Sequence, residues 1–449
     1  MSFRFRSWWA AGMATVCLVV AGCGIEPDPV VPPPEEVPAP VVEAPPDPEE
    51  SVTLSEEALA AVARVEALEG RVQYDPQGRQ RLGRWLARFL ELDGRVQYDP
   101  QGRVIGVDLT AQSISDSEVE PLQALTDLEV LSLRGAEISD ASLAVISRLT
   151  QLQRLELSYT SMTDEGLQQL AALQALNDLR LHRMTSMSDE ALLVLQELPE
   201  LEYLYLTDNY ISDTGMGYIA QLPRVRMLDV RGSDMIGDSG LEPLIAMESL
   251  VALRVRSRSV GDIGMEYLAQ MPQLRTLAVE DSLGLSDYGM EQLAALEQLD
   301  DLSVAQAFNV TDAGLEPLAG LTQLRRLNLR RLSLHGEGLN YLKDLKELWA
   351  LDIGGTTIVD SALEYLQQFP SLTRLNLMMT PVTDAGMEQL VQLDQLTWLS
   401  LQQTSLTDEA VPYLSQLTNL TELDVSETQL TEDGVNRLRE ALPEASIQH

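Results

Sequence analysis

From residue 104 onward the apolar positions repeat every 24 or 25 residues, in segments that begin at Leu125, Leu149, Leu173, Leu198, Leu222, Met247, Met271, Leu296, Leu321, Leu345, Phe369, Leu393 and Leu417, after one partial unit. In the unit Leu149 to Ala172, Leu152, Leu155 and Leu157 mark a short strand and Thr160 closes a turn. After Thr163-Asp164 the apolar residues Leu167, Leu170 and Leu173 return at helical spacing. A strand and a helix within 24 residues cannot bury their own apolar faces, so the fourteen units must stack. At about 4.8 Å per strand the stack would carry a sheet on the order of 65 Å long.

This pattern resembles the leucine-rich repeat family, and within it the ribonuclease-inhibitor-like and F-box-associated subclass whose units end in Thr-Asp-x-Gly-Leu. The resemblance runs from Val104 to about Ile447. It implies an α/β fold: a right-handed horseshoe with a parallel sheet on the concave face and helices on the convex face. Gly102 to Leu109 (GRVIGVDL) and Ala441 to Ile447 (ALPEASI) are similar to the first and last strands of secreted planctomycete-type leucine-rich-repeat lipoproteins, and they are expected to be caps.

The N-terminal part reads differently. Arg4 and Arg6, an apolar run from Trp8 to Val20 and small residues before Cys23 make residues 1–22 a secretory signal, too short for a comfortable membrane span. Val20-Ala21-Gly22-Cys23 resembles a bacterial lipobox, which implies cleavage before Cys23, its lipidation, and an exported, lipid-anchored chain in the cell envelope. By the same resemblance Gly24 points to the outer membrane or periplasm over the inner membrane. Residues 23–52 form a tether: ten prolines and eight acids lie between residues 24 and 50, with no Lys, Arg or aromatic residue. Extended, that stretch could span about 80 Å. Residues 53–103 are expected to be a helical or hairpin cap, and GRVQYDPQGR occurs in it twice, at Gly70–Arg79 and Gly94–Arg103. Between the copies, Arg81, Arg84 and Arg88 lie near Trp85 and Phe89, a pattern open to a capping helix or to one lying on an anionic membrane. An F-box analogy is rejected, because no F-box precedes the repeats and the lipobox places the chain outside the cytoplasm.

Composition narrows the function. The chain has 78 Leu in 449 residues and a formal charge of -38, which argues against nucleic acid as a partner. Cys17 and Cys23 both lie at the N-terminus, so the repeats hold neither a disulfide framework nor a thiolate metal site. Three His and no nucleophile elbow, His-Glu-x-x-His helix or phosphate loop leave no catalytic set, and no cofactor or metal is expected. An acid ladder recurs at Asp116, Asp140, Asp164, Asp189, Asp213, Asp238, Asp262, Asp287, Asp312, Asp360, Asp384 and Asp408, and it breaks at Gly336. Such a ladder suggests calcium or helix capping; capping is favoured, because each Asp opens a helix and usually follows Ser or Thr. Thr160, Thr356, Thr380, Thr404 and Thr428 are expected to form a hydroxyl ladder in the turns, abandoned in the middle at Arg258, Ala307 and Leu332.

The strand face is the candidate binding surface. Its non-core positions hold fifteen Arg and fifteen acids, while the remaining positions of the repeats are strongly acidic. The densest run, Arg180, Arg183, Arg231, Arg254, Arg256 and Arg258, lies near His182, Tyr203, Tyr205 and Met227, with Trp398 further along. Arg, Tyr and Trp dominate binding hot spots. Two hypotheses follow: a non-catalytic binding module whose concave face takes a protein partner or an anionic glycan, or a structural or adhesion protein whose repeats act as a spacer. In the second, these arginines would pair only with acids on adjacent strands.

Overall fold

The computed structural model describes residues 95–99, 103–111 and 114–449. The expected signal, Cys23, the tether, the first GRVQYDPQGR copy and the arginine-aromatic segment lie outside the described residues. The strands are β1 (Arg95–Tyr98), β2 (Val104–Asp108), β3 (Val130–Arg134), β4 (Arg154–Ser158), β5 (Asp178–His182), β6 (Tyr203–Tyr205), β7 (Met227–Asp229), β8 (Ala252–Arg256), β9 (Thr276–Glu280), β10 (Asp301–Ser303), β11 (Arg326–Asn328), β12 (Ala350–Asp352), β13 (Arg374–Asn376), β14 (Trp398–Ser400), β15 (Glu422–Asp424) and β16 (Ser446–Gln448). They form one open sheet in chain order. The fourteen repeat units supply β2 to β15. β1, from the second copy of the duplicated decapeptide, pairs antiparallel with β2, and β16 continues the parallel ladder.

The register stacks one leucine per strand into a column from Leu131 to Leu423, none more than 2% exposed. Each such side chain contributes about 2 kcal/mol of burial that a single unit could not obtain alone. The segment returning between strands is short, from the helix Asp140–Ile146 to the 3-10 turns Asp189–Glu197 and Asp312–Gly320. Just past many strands the chain leaves the sheet through a left-handed residue, one residue on at Tyr159, Arg183 and Asp281 and three residues on at Asp208, Gln306, Arg331, Met379, Gln403 and Glu427. That conformation lets one more N–H reach the next strand, as from Tyr159 to His182 O at 2.8 Å and from Arg331 to Gly354 O at 2.8 Å. The extra bond compensates a backbone region that L residues rarely occupy.

The turn hydroxyls differ from the expected ladder. Thr356, Thr380, Thr404 and Thr428 each donate to a carbonyl three residues earlier in their own unit, at 2.6 to 2.7 Å. Thr160 instead meets the sulfur of Met184 at 3.2 Å. In the middle, the bonds cross between units: Asn209 donates to Leu181 O at 2.8 Å, Ser257 to Ile236 O at 2.6 Å, and Ser282 to Val260 O. Arg258 is therefore not the turn residue of its unit. Ser257 is, and Arg258 projects outward with its side chain 65% exposed.

The acid ladder also has a different role from the expected one. Helix capping belongs to the preceding hydroxyls, such as Thr163, Ser188, Ser212, Ser286 and Thr383, which accept from N–H groups of the first turn. The aspartates reach out of their own unit to the cap residue of the next. Asp140 accepts from Thr163 N at 2.8 Å and from Thr163 Oγ1 at 2.7 Å. Asp116 does the same to Ser139, Asp164 to Ser188, Asp189 to Ser212, Asp262 to Ser286 and Asp287 to Thr311. Asp360, Asp384 and Asp408 repeat it on Thr383, Thr407 and Thr431. Asp213, Asp238 and Asp312 accept from the backbone N of Gly237, Gly261 and Gly336. This explains the glycine of the Thr-Asp-x-Gly signature: a Cβ on Gly166, Gly264, Gly289, Gly314 or Gly386 would strike the carboxylate arriving from the preceding unit. With their oxygens committed in this way, the aspartates are not a cation ladder. Among the described residues no group of three or more His, Cys, Asp or Glu is gathered that could hold a metal ion.

Candidate functional site

Strand register sets out the sheet face in rows. One row reads Arg154, Asp178, Tyr203, Met227, Ala252, Thr276, Asp301, Arg326, Ala350, Arg374, Trp398. The next reads Glu156, Arg180, Tyr205, Asp229, Arg254, Ala278, Ser303, Asn328. Neighbours in a row are about 4.8 Å apart across the strands, so opposite charges placed side by side come within reach of each other.

The expected arginine run is brought together on β5 to β8, and most of it is neutralised from within. Asp178, 4% exposed, takes Arg154 at 2.6 Å and Arg180 at 2.9 Å. Arg180 also lies over the ring of Tyr205 at 4.6 Å. Arg231 grips Asp229, itself 1% exposed, at 2.8 Å. Asp208 receives both Arg183 at 3.1 Å and Arg256 at 3.2 Å, and Arg258 meets Asp281 at 3.4 Å. Tyr203 is half-buried and Met227 is buried. His182 bonds Thr207 Oγ1 through Nδ1 at 2.6 Å and packs edge-on to Tyr159 at 5.3 Å. Trp398 is not part of this group. It lies on β14, six strands or about 29 Å from β8, with Arg374 stacked on it at 5.0 Å.

Burial governs the titrating groups here. It pushes the His182 imidazole below its ordinary value, against the pull of Asp208 and with help from Arg183. Burial also raises the Tyr205 phenol, opposed by Arg180, and raises the Asp301 carboxyl, opposed by Arg326 and Arg254. His182 is thus a neutral partner of a hydroxyl.

A second set of arginines was present in the sequence count, and of these only Arg254 was singled out. Among the described residues, Arg254, Arg275, Arg325, Arg330 and Arg331 make no ion pair and no side-chain hydrogen bond, and all five fall on or beside β8 to β11. Between Arg254 and Arg330 the face is floored by small side chains, Ala278, Ser303 and Ala305. Past Arg330, at the strand ends, a hollow of about 540 Å³ is lined by Phe308, Arg331, Leu332, Ser333, Met379 and Thr357, with His335 and Gly355 completing it. Its cause is local. Gly354 and Gly355 leave room that Met378 and Arg331 side chains border, and Gly355 takes a φ of 69°. The glycine pair and the break in the acid ladder at Gly336 were the sequence signals for it. What the surface offers chemically is guanidinium donors without internal acceptors, beside an apolar recess.

The Leucine Rich repeat family matches this chain at residues 149–171, 198–220, 370–391 and 416–438. No curated protein matches it. Among solved structures, a chain of the yeast Rad7 and Elc1 complex is similar over 74% of this chain and 88% of its own, with 20% identity and a TM-score of 0.51. An internalin of Listeria monocytogenes covers 78% of this chain and 90% of its own, with 23% identity and a TM-score of 0.46. A leucine-rich repeat protein of Leptospira interrogans covers 76% and 96%, with 18% identity and a TM-score of 0.47. The sixteen-stranded open sheet, repeating every 24 or 25 residues, has the fold of an α/β leucine-rich repeat solenoid, and the four family matches fall within it.

Proposed function

We propose that this chain is a non-catalytic, lipid-anchored binding module of the bacterial envelope that takes an acidic protein partner on its sheet face at β8 to β11. The observation that carries the reading is the contrast between two arginine sets. Those on β4 to β7 are tied to buried aspartates, while among the described residues Arg254, Arg275, Arg325, Arg330 and Arg331 make no ion pair and no side-chain hydrogen bond. Unpaired guanidinium groups beside small side chains leave both charge and space for a partner's carboxylates. The similar chain from the yeast Rad7 and Elc1 complex was solved together with another protein. The anchor rests on the lipobox-like Val20-Ala21-Gly22-Cys23.

Charge reversal at Arg254 and Arg330 should reduce capture of an acidic protein from envelope extract at least tenfold, while reversal at the exposed Glu248 should leave it unchanged. Equal effects would remove the assignment. Palmitate incorporation that survives Cys23→Ser would remove the anchor. The spacer reading draws support from the internally neutralised face of β4 to β7. Under it, deletion of two middle units would leave function intact.

A further inference from the structure

Of the unpaired arginines, Arg331 lines the hollow and Arg330 precedes it in the chain. Arg330 lies two residues past β11 and Arg331 follows it into the left-handed turn, with its side chain lying against Gly355 at the edge of the hollow. The hollow's wall is largely apolar. Phe308 is 54% exposed, Met379 is 40% exposed, and Leu332 lies behind them. Its hydroxyls are already committed: Ser333 donates to Phe308 O at 2.6 Å and Thr357 to Leu334 O at 2.7 Å. A sugar would bring several hydroxyls to a recess that has few groups left to satisfy them, and burying them unpaired is costly. An apolar side chain has no such need.

Building on the binding reading above, we propose that the hollow is an anchor pocket: it takes one large apolar side chain of an extended acidic polypeptide, whose flanking carboxylates pair with Arg330 and Arg331. An aromatic or aliphatic anchor against Phe308 and Met379, ringed by charge pairs, has the composition of a binding hot spot. The strongly negative chain repels an acidic partner at distance, but at physiological salt that field decays within about 8 Å, so the contact is governed by the local guanidinium groups. Salt should therefore speed association and also weaken the final complex.

The test uses two fluorescein-labelled peptides, both extended Glu/Ser dodecamers, one with a central Phe and one with Ser in its place, titrated into the full chain by anisotropy. The Phe peptide should bind about tenfold more tightly, the gain expected from burying one aromatic side chain. Phe308→Ser should erase that gain and leave the Ser peptide unaffected, while Arg330→Glu should weaken both. Thr357→Phe, which fills the hollow from a different residue, should act as Phe308→Ser does. Equal binding of the two peptides overturns the pocket and leaves the arginine reading standing; binding of neither overturns both. If a sulfated oligosaccharide binds through Arg330 more tightly than either peptide and is indifferent to Phe308, the occupant is a glycan and the proposal fails.

Discussion

Replacing Asp262 by Ala tests the reassigned role of the acid ladder. Its Oδ1 accepts from Ser286 N at 2.8 Å and Gly289 N at 3.0 Å, and its Oδ2 accepts from Ser286 Oγ at 2.7 Å. Truncation strands two backbone donors of the next unit and removes a charge-assisted bond. At roughly 1 kcal/mol for each group left short of a partner, the loss is about 3 kcal/mol. Asp262→Asn keeps one acceptor oxygen and should cost about 1 kcal/mol. If the carboxylate only met the dipole of its own helix, the loss would stay below about 1 kcal/mol. Gly289→Ala supplies the second arm, because its new Cβ would strike both the Asp262 carboxylate and Leu285. With Asp262 already truncated, part of that clash is gone, so the double variant should lose less than the sum of the singles. Urea unfolding followed by far-ultraviolet circular dichroism measures the loss, and hydrogen exchange at the Ser286 and Gly289 amides locates it. A shift no larger than that of Glu248→Ala, or strict additivity of the pair, would refute the reasoning.

Acid should weaken the solenoid in two steps. His182 titrates below its ordinary value, so the unfolded chain binds more protons and stability falls as pH drops from about 6.5; His182→Gln should remove that step from a plot of urea midpoint against pH. At Asp116, burial pushes the carboxyl up but bonds from Ser139 and Ser142 outweigh it, and at Asp408 the Thr431 N–H and hydroxyl lead the lowering. Both carboxyls end below the ordinary range, so their contribution is full above about 3.9 and is lost as pH falls through their folded values. Asp116→Asn should shrink this lower step. Ser233 Oγ is buried without a partner, so Ser233→Ala should raise stability by up to about 1 kcal/mol, whereas Ser257→Ala, which loses a bond to Ile236 O, should lower it by about 1 kcal/mol. Gln403 holds a φ of 54°, and Gln403→Gly should be neutral or stabilising in calorimetry, where an exposed glycine substitution ordinarily costs up to about 1 kcal/mol.

The architecture was legible because leucine at fixed offsets admits few packings, and the strands fall where Leu155-Glu156-Leu157 and its counterparts predict them. What periodicity could not show was which partner a polar side chain chooses. Asp140 and Thr163 look like members of two separate helix starts until stacking places one over the other. Likewise, Arg180 and Arg254 occupy the same row position. Only the folded side chains show that the first reaches a buried aspartate while the second, among the described residues, makes no ion pair. Ser257 was missed because its unit reaches the turn one residue early, which shifted Arg258 into the turn position by counting alone.

Each unit carries half of two locks: an acceptor offered forward, and a void or a donor offered back. A unit grafted from elsewhere would have to match on both sides, so the exchangeable module is not the 24-residue period but the piece between consecutive carboxylate contacts. One seam is open. Gly336 occupies the acid's place, and among the described residues no carboxylate reaches Val359, whose helix start has no side-chain cap. Under mechanical load the stack should part there first, which divides the rod into a longer and a shorter segment at the edge of the proposed anchor pocket.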